Sequence, residues 1–278
     1  MVGVSERAET PPRAAEFEFD RDTAVEPLDG QGRFRAVISD RWNIGSAPNG
    51  GYLTSVAVSA LAASVPHPDP LSVSSHFPGR TAPGPVEVHV EVLRAGRGLS
   101  TAVARLVQDD QVRVHVTATF GDLSAHDGPT AVSATPPALP PPEACVPVDP
   151  AIPGVPVMMG RVDLRLTAES AGFAVGHRRG EALMEGWIRF ADGREADTRS
   201  LVFTVDSLPP TVFGLMETGW VPTIELTAHG RGRPAPGWLA CSFRTRFLME
   251  GYLEEDGEVW DSTGRLVALS RQLARIHT

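Results

Sequence analysis

The chain contains no lysine: all 25 of its basic residues are arginine. That excludes Schiff-base catalysis and any phosphate loop built on a lysine. Cysteine is nearly as scarce. Cys145 and Cys241 stand alone, too few for a disulfide framework or a Cys-rich zinc site. The eight histidines form no H-x-x-x-H spacing and no cluster with cysteine, so no metal and no cofactor is expected. No G-x-S-x-G elbow occurs, which argues against a Ser-His-Asp nucleophile. Gly96-Arg-Gly98 and Gly230-Arg-Gly232 lack the third glycine and the strand-to-helix setting of a dinucleotide fingerprint. Acidic residues outnumber basic ones, 34 to 25, for a net charge of -9, the wrong sign for a nucleic-acid binder. No apolar run approaches the roughly 18 residues of a membrane-spanning helix. The first ten residues, Met1 to Thr10, lack the basic and apolar regions of a signal peptide. A soluble, reduced, cytoplasmic protein is expected, with no nucleic acid or membrane as partner.

What is present is an average globular balance of 42% apolar and 21% charged residues over 278 positions, enough for one large domain or two ordinary ones. The 27 glycines and 25 prolines favour many turns, hence many short strands and few long helices. Composition shifts between Asp122 and Pro156, where Pro136-Pro-Ala-Leu-Pro-Pro-Pro-Glu143 reads as an extended linker. It separates two segments of similar length, and these contain a repeat. His76-Phe-Pro-Gly79-Arg80-Thr-Ala82-Pro83-Gly84 matches His229-Gly-Arg-Gly232-Arg233-Pro-Ala235-Pro236-Gly237 at six of nine positions, at a constant offset of 153. The chain therefore divides into an N-terminal module (1–123), a linker (124–155) and a C-terminal module (156–278).

Periodicity switches in the same order within each module. Phe17 to Asp20 and Arg33 to Ile38 read as short strands. Asn49 to Ser64 is apolar nearly all round, a buried helix opened by Asn and two glycines and stopped before Pro66. Strands follow at 71–77, 86–95, 99–108 and 112–121, with polar turns such as Gln108-Asp-Asp-Gln111 between them. The second module repeats the order: strands near 160–166 and 181–190, a helix near 196–208 ended by Pro209-Pro210, then strands near 221–229, 238–248, 250–260 and 265–275. A single apolar helix followed by four meandering strands requires the sheet to wrap that helix. Two such sheets pairing side by side would cover each other's exposed edge.

This arrangement resembles the double hot-dog fold of the acyl-CoA thioesterase II (TesB-like) family, an α+β architecture of two fused modules. The likeness runs from about residue 15 to Ile276. It is carried by Asn49-Gly50-Gly51, by Ser75-His76-Phe77, and by Glu91 to Thr101 in the first module. In the second it is carried by Val205-Asp206, Pro222-Thr223 and Val267 to Gln272. The resemblance implies hydrolysis of acyl-CoA to CoA and a carboxylic acid by one water held by Asp206, Thr223 and Gln272. A thioester carbonyl is electrophilic enough for a carboxylate-activated water to attack it directly. Gly50 and Gly51, at the start of the other module's helix, would polarise the carbonyl through backbone N–H groups. The resemblance further implies a site between the modules, an acyl tunnel along the central helices and a place in fatty acid metabolism.

Arginines near a cleft can meet CoA phosphates, which makes Arg80, Arg233, Arg178 and Arg179 candidates. His76 and His229 occur in both copies, so they read as serving the shared fold rather than catalysis. Two rivals keep the fold: a non-catalytic acyl-CoA or lipid-binding protein, and an enoyl-thioester hydratase or dehydratase. The second would want a histidine close to Asp206, where Ser-Leu-Pro-Pro follows instead. A monomer of fused modules and a homo-oligomer joined through sheet edges are both compatible with the sequence.

Overall fold

The structure, a computed structural model, describes residues 17–28, 30–125 and 127–277. In the first half, strands β1 (Arg33–Ile38), β2 (Asp69–His76), β3 (Gly84–Ala95), β4 (Ser100–Gln108) and β5 (Gln111–Gly121) surround a helix, Gly50–Ser64. In the second half, β6 (Val162–Leu166), β7 (Leu183–Phe190), β8 (Thr223–Gly230), β9 (Leu239–Arg244), β10 (Tyr252–Trp260) and β11 (Leu266–Arg275) accompany a one-turn helix, Leu201–Thr204.

All eleven strands join one antiparallel sheet in the order β1-β3-β4-β5-β2-β8-β11-β10-β9-β7-β6. That order reads almost the same from both ends. Its centre is the β2–β8 pair, where Ser75 faces Leu226 and His76 faces Glu225. The two halves therefore pair edge to edge through equivalent strands, and neither leaves that long edge unpaired. The segment after the proline-rich stretch also joins the sheet, since Val146–Pro147 pairs with β6.

The Gly50–Ser64 helix is buried on nearly every side, including Tyr52, Val56, Ala57, Ala60 and Leu61, because the first-half strands curve around it. An aromatic cluster ties the halves beneath it. Trp42 stacks on Tyr52 at 5.3 Å between centroids and meets Phe203 of the second half edge-on at 5.1 Å. Between β4 and β5 the chain reverses at Asp109 and Asp110, both at positive φ (52° and 58°), as a two-residue hairpin turn requires. Among the described residues no helix is long and apolar enough to cross a membrane.

Two elements differ from the sequence expectation. Phe17 to Asp20, expected as a strand, enters a helical turn, Glu18–Asp22. Its carboxylates clamp the second half: Arg161 donates to Glu18 at 2.6 and 2.7 Å, and Arg194 donates to Asp20 at 2.8 Å. The helix expected over 196–208 is confined to Leu201–Thr204. Asp197 and Ser200 explain where it starts. Each side chain accepts the other's backbone N–H, at 2.8 and 2.9 Å, a reciprocal cap that opens the first turn at Asp197, whose carbonyl already accepts the Leu201 N–H at 3.1 Å. Asp206 and the two prolines then end it.

Candidate active site

Asn49 caps the long helix, accepting the Tyr52 N–H at 2.8 Å through its side-chain oxygen. Its amide nitrogen reaches across to the other half. There it donates to both the backbone oxygen and Oδ2 of Asp206, at 2.9 and 3.0 Å. The Gly51 N–H donates to the same Oδ2 at 2.7 Å. The carboxylate thus sits at the positive end of a helix that belongs to the other repeat.

Glycine is what lets the two helices approach this closely. A Cβ on Gly51 would lie 2.9 Å from the Cβ of Asp206 and 3.1 Å from the Cα of Phe203. On Gly50 it would lie 3.1 Å from Asp206 Oδ2 and from the Phe77 ring.

Asp206 is half-buried, and its other oxygen, Oδ1, makes no hydrogen bond among the described residues and is not sealed from solvent. Burial pushes its pKa up from 3.8 to about 7, aided by the nearby Glu255 charge and opposed by the Gly51 N–H and Asn49. It therefore exchanges a proton near neutrality, as a general base needs.

Thr223 opens β8 and Gln272 lies on β11, its neighbour in the sheet. The Thr223 hydroxyl donates to Gln272 Oε1 at 2.9 Å. Gln272 Nε2 donates in turn to Glu255 Oε1 at 2.7 Å. The three residues singled out in the sequence thus fall into two groups, Asp206 with the helix start and Thr223 with Gln272; Glu255 bonds the second group and acts on the first through its charge.

Comparison with known proteins gives this arrangement its family. The profile of the acyl-CoA thioesterase N-terminal domain matches residues 38–121, and that of the acyl-CoA thioesterase C-terminal domain matches residues 142–276. The chain belongs to the acyl-CoA thioesterase family. A structure from Thermobifida fusca, described as a candidate thioesterase II, is 33% identical and superposes with a TM-score of 0.86, covering 94% of this chain and 99% of that one. A hot-dog protein of unknown function from Alicyclobacillus acidocaldarius, 24% identical, superposes at 0.82 over 94% of this chain and 98% of that one. An uncharacterised protein of Mycobacterium tuberculosis is 28% identical over 93% of this chain and 98% of its own length. The fold is the double hot-dog shared with these two structures.

Two polar residues of this family member's site escaped the sequence reading. Asn49 was legible only as part of a helix start. Glu255 lies in the acidic run Glu254-Glu255-Asp256, which suggests a wet surface, yet it is 4% exposed. Its phase was the available signal. Leu253, Glu255, Gly257 and Val259 alternate with polar neighbours along β10, which places Glu255 on the inward face. Burial raises its pKa, against hydrogen bonds from Thr211 and Gln272 that lower it.

The four arginines scatter. Arg80 lies at the Asp206 end, donating to the Ser46 carbonyl at 3.0 Å and to its hydroxyl at 2.5 Å, just before the helix start. Arg233 is at the far end. It donates to Asp69 at 2.9 Å and to Asp122 at 3.1 Å, beside a cleft of about 470 Å³ that also touches Ala62. The helical rise from Gly50 to Ala62 puts about 18 Å between these ends. Arg178 pairs with Glu217 at 3.5 Å and Arg179 with Glu185 at 3.1 Å. His76 and His229 are both exposed on the sheet.

Proposed function

We propose that the protein hydrolyses acyl-CoA thioesters by direct attack of one water. The observation that carries this reading is the Asp206 carboxylate: its pKa stands near 7, and one oxygen remains unclaimed at the start of the opposite half's helix. In this reading the water donates one proton towards Asp206 Oδ1 and the other towards the Thr223 oxygen, whose own proton is committed to Gln272. The Gln272 Nε2 group has a second N–H, which donates to the water oxygen and leaves a lone pair aimed at the thioester carbon.

As the carbon–oxygen bond forms, the water proton passes to Asp206 and charge collects on the carbonyl oxygen. The Gly50 N–H has no acceptor among the described residues and serves as the donor there, with the helix dipole behind it. The Gly51 N–H holds Asp206 instead, so of the two glycines only Gly50 is assigned to the oxyanion. Collapse of the tetrahedral intermediate breaks the carbon–sulfur bond. The departing thiolate takes the proton back from Asp206, giving CoA thiol and a carboxylic acid. Among the arginines only Arg80 is assigned to CoA phosphates, because it lies at this end and its partner is a neutral serine.

Release of free thiol from acyl-CoAs of short, long and branched chains, with wild type beside Asp206→Asn, tests the reading. Turnover that falls by about 100-fold or more in the variant supports a carboxylate-activated water. Saturable binding without turnover on any chain would identify an acyl-CoA-binding protein instead.

A further inference from the structure

Glu255 is the buried carboxyl group of the site that hydrolysis by Asp206, Thr223 and Gln272 leaves without a task. Its two oxygens have different partners. Oε1 accepts from Gln272 Nε2 at 2.7 Å, and Oε2 accepts the backbone N–H of Thr211 at 2.9 Å. No arginine or histidine forms an ion pair with it among the described residues. The charged and polar groups near it are Gln272 on β11 and Thr211 after the prolines, which bond it, Asp206 at the second-half helix end, and Asp256, its strand neighbour, which points to the opposite face and pairs with Arg246 and Arg271. Thr211 is itself fixed, its hydroxyl 2.7 Å from that of Thr245. A buried carboxylate without a cation is costly, and a neutral glutamine of the same size would satisfy Thr211 alone. What glutamine cannot do is accept two N–H groups with two separate oxygens.

The other half of the argument is the carboxamide of Gln272. Its oxygen and its nitrogen have nearly the same shape, so packing alone does not decide which faces Thr223. A hydroxyl is no arbiter either, since it can donate or accept. Glu255 breaks the tie by geometry: the Thr211 N–H holds Oε2, and Oε1 meets the carboxamide as an acceptor. We propose that Glu255 is a positioning residue: by accepting from Nε2 it fixes which way round the Gln272 carboxamide stands, leaving one N–H to hold the hydrolytic water. This rests on the hydrolytic reading above. With the amide reversed, Gln272 would present an oxygen to the water. The water would then turn a proton rather than a lone pair in that direction, and its attack geometry would be lost.

The test is a double-mutant cycle of Glu255→Gln and Gln272→Ala, read as kcat and KM on whichever acyl-CoA the wild type turns over. Glu255→Gln is expected to lower kcat by about 10- to 100-fold, the scale of a misplaced reacting group. KM should stay within about twofold, because substrate binding is not touched. Read at alkaline pH, where Asp206 is deprotonated with or without Glu255, the same substitution should cost nothing further in the Gln272→Ala background, since it acts through the missing amide. Equal losses in both backgrounds, or an unchanged kcat in the single variant, would overturn the proposal. Should Glu255→Gln fail to fold, Glu255→Asp draws the carboxylate back from Gln272 while keeping two acceptors, and the same cycle applies.

A second measurement does not depend on turnover. The side-chain amide resonances of Gln272, followed by nitrogen-15 NMR, should move and lose exchange protection in Glu255→Gln. If they stay where they are, Glu255 does not orient the amide. If they move while the wild type hydrolyses no acyl-CoA, the positioning stands and the hydrolytic reading alone is lost.

Discussion

The Gly51 N–H, on the helix of one repeat, donates to Asp206 Oδ2, at the helix end of the other, at 2.7 Å. The candidate base is therefore assembled across the two halves, and neither half contains both the carboxylate and the donors that hold it. Four expected outcomes follow from this contact and its surroundings.

Activity should rise with pH. The proton on Asp206 must leave before a water can be deprotonated, and its pKa stands at about 7. A profile of kcat/KM should climb through an acid limb with its midpoint near 7 and then level off. A midpoint near 4 would mean that the working base is a solvated carboxylate elsewhere.

Stability should run the other way. The folded pKa of Asp206 is raised from 3.8 to about 7, so between those values the folded state binds a proton that the unfolded chain has released. The contribution is complete below about pH 4 and is lost as pH rises through 7, at up to about 1.4 kcal/mol per unit. Urea midpoints of wild type and Asp206→Asn should therefore diverge from pH 4 to 8, with the variant the more stable at the alkaline end. Parallel curves would show that the carboxylate is not desolvated.

Gly51→Ala should destabilise the protein although alanine is the better helix former by about 1 kcal/mol. The added methyl would meet Asp206 Cβ at 2.9 Å and the Phe203 backbone at 3.1 Å, where no flexible side-chain tip can yield. Overpacking of this kind costs about 1–3 kcal/mol, and the same displacement should reduce kcat. A denaturant midpoint equal to wild type would show that the two helices can separate freely.

Arg80 and Arg233, equivalent in the repeat, should separate in assay. Arg80→Ala should raise KM for acyl-CoA and leave the melting temperature nearly unchanged. Arg233→Ala should leave KM alone and lower the melting temperature, because it withdraws charged hydrogen bonds from the buried Asp69. An Arg233 variant with a raised KM would place CoA at the opposite end of the helix.

The parts of the fold legible in the sequence were those with long, regular patterns. Val86-Glu-Val-His-Val-Glu-Val alternates over its whole length and lies within β3. The H-x-x-G-R-x-A-P-G repeat begins at the ends of β2 and β8, the two strands that pair at the centre of the sheet. Short segments were harder. Phe17 to Asp20 offers only four residues, and its conformation is decided by Arg161 and Arg194, far along the chain. The helix near Leu201 is shorter than its apolar pattern suggests because the chain tightens after Thr204, with Asp206 N–H bonded to Phe203 and Ser207 N–H to Thr204, several residues before the prolines that mark a stop in the sequence. In the site, Asp206, Thr223 and Gln272 stood out through family resemblance. Their hydrogen-bond partners did not: Glu255 is masked by its acidic neighbours, and Asn49 does two jobs with one side chain.

The start of each central strand carries a different residue. β8 opens with Thr223, bonded to Gln272, and β2 opens with Asp69, locked by Arg233 and by the Thr198 hydroxyl. Two identical subunits could not make that distinction, since any residue placed in one would appear in the other. Joining the copies in a single chain frees them to diverge. One end of the long helix holds the carboxylate of Asp206, while beside the other an ion pair anchors the C-terminal repeat to the N-terminal one.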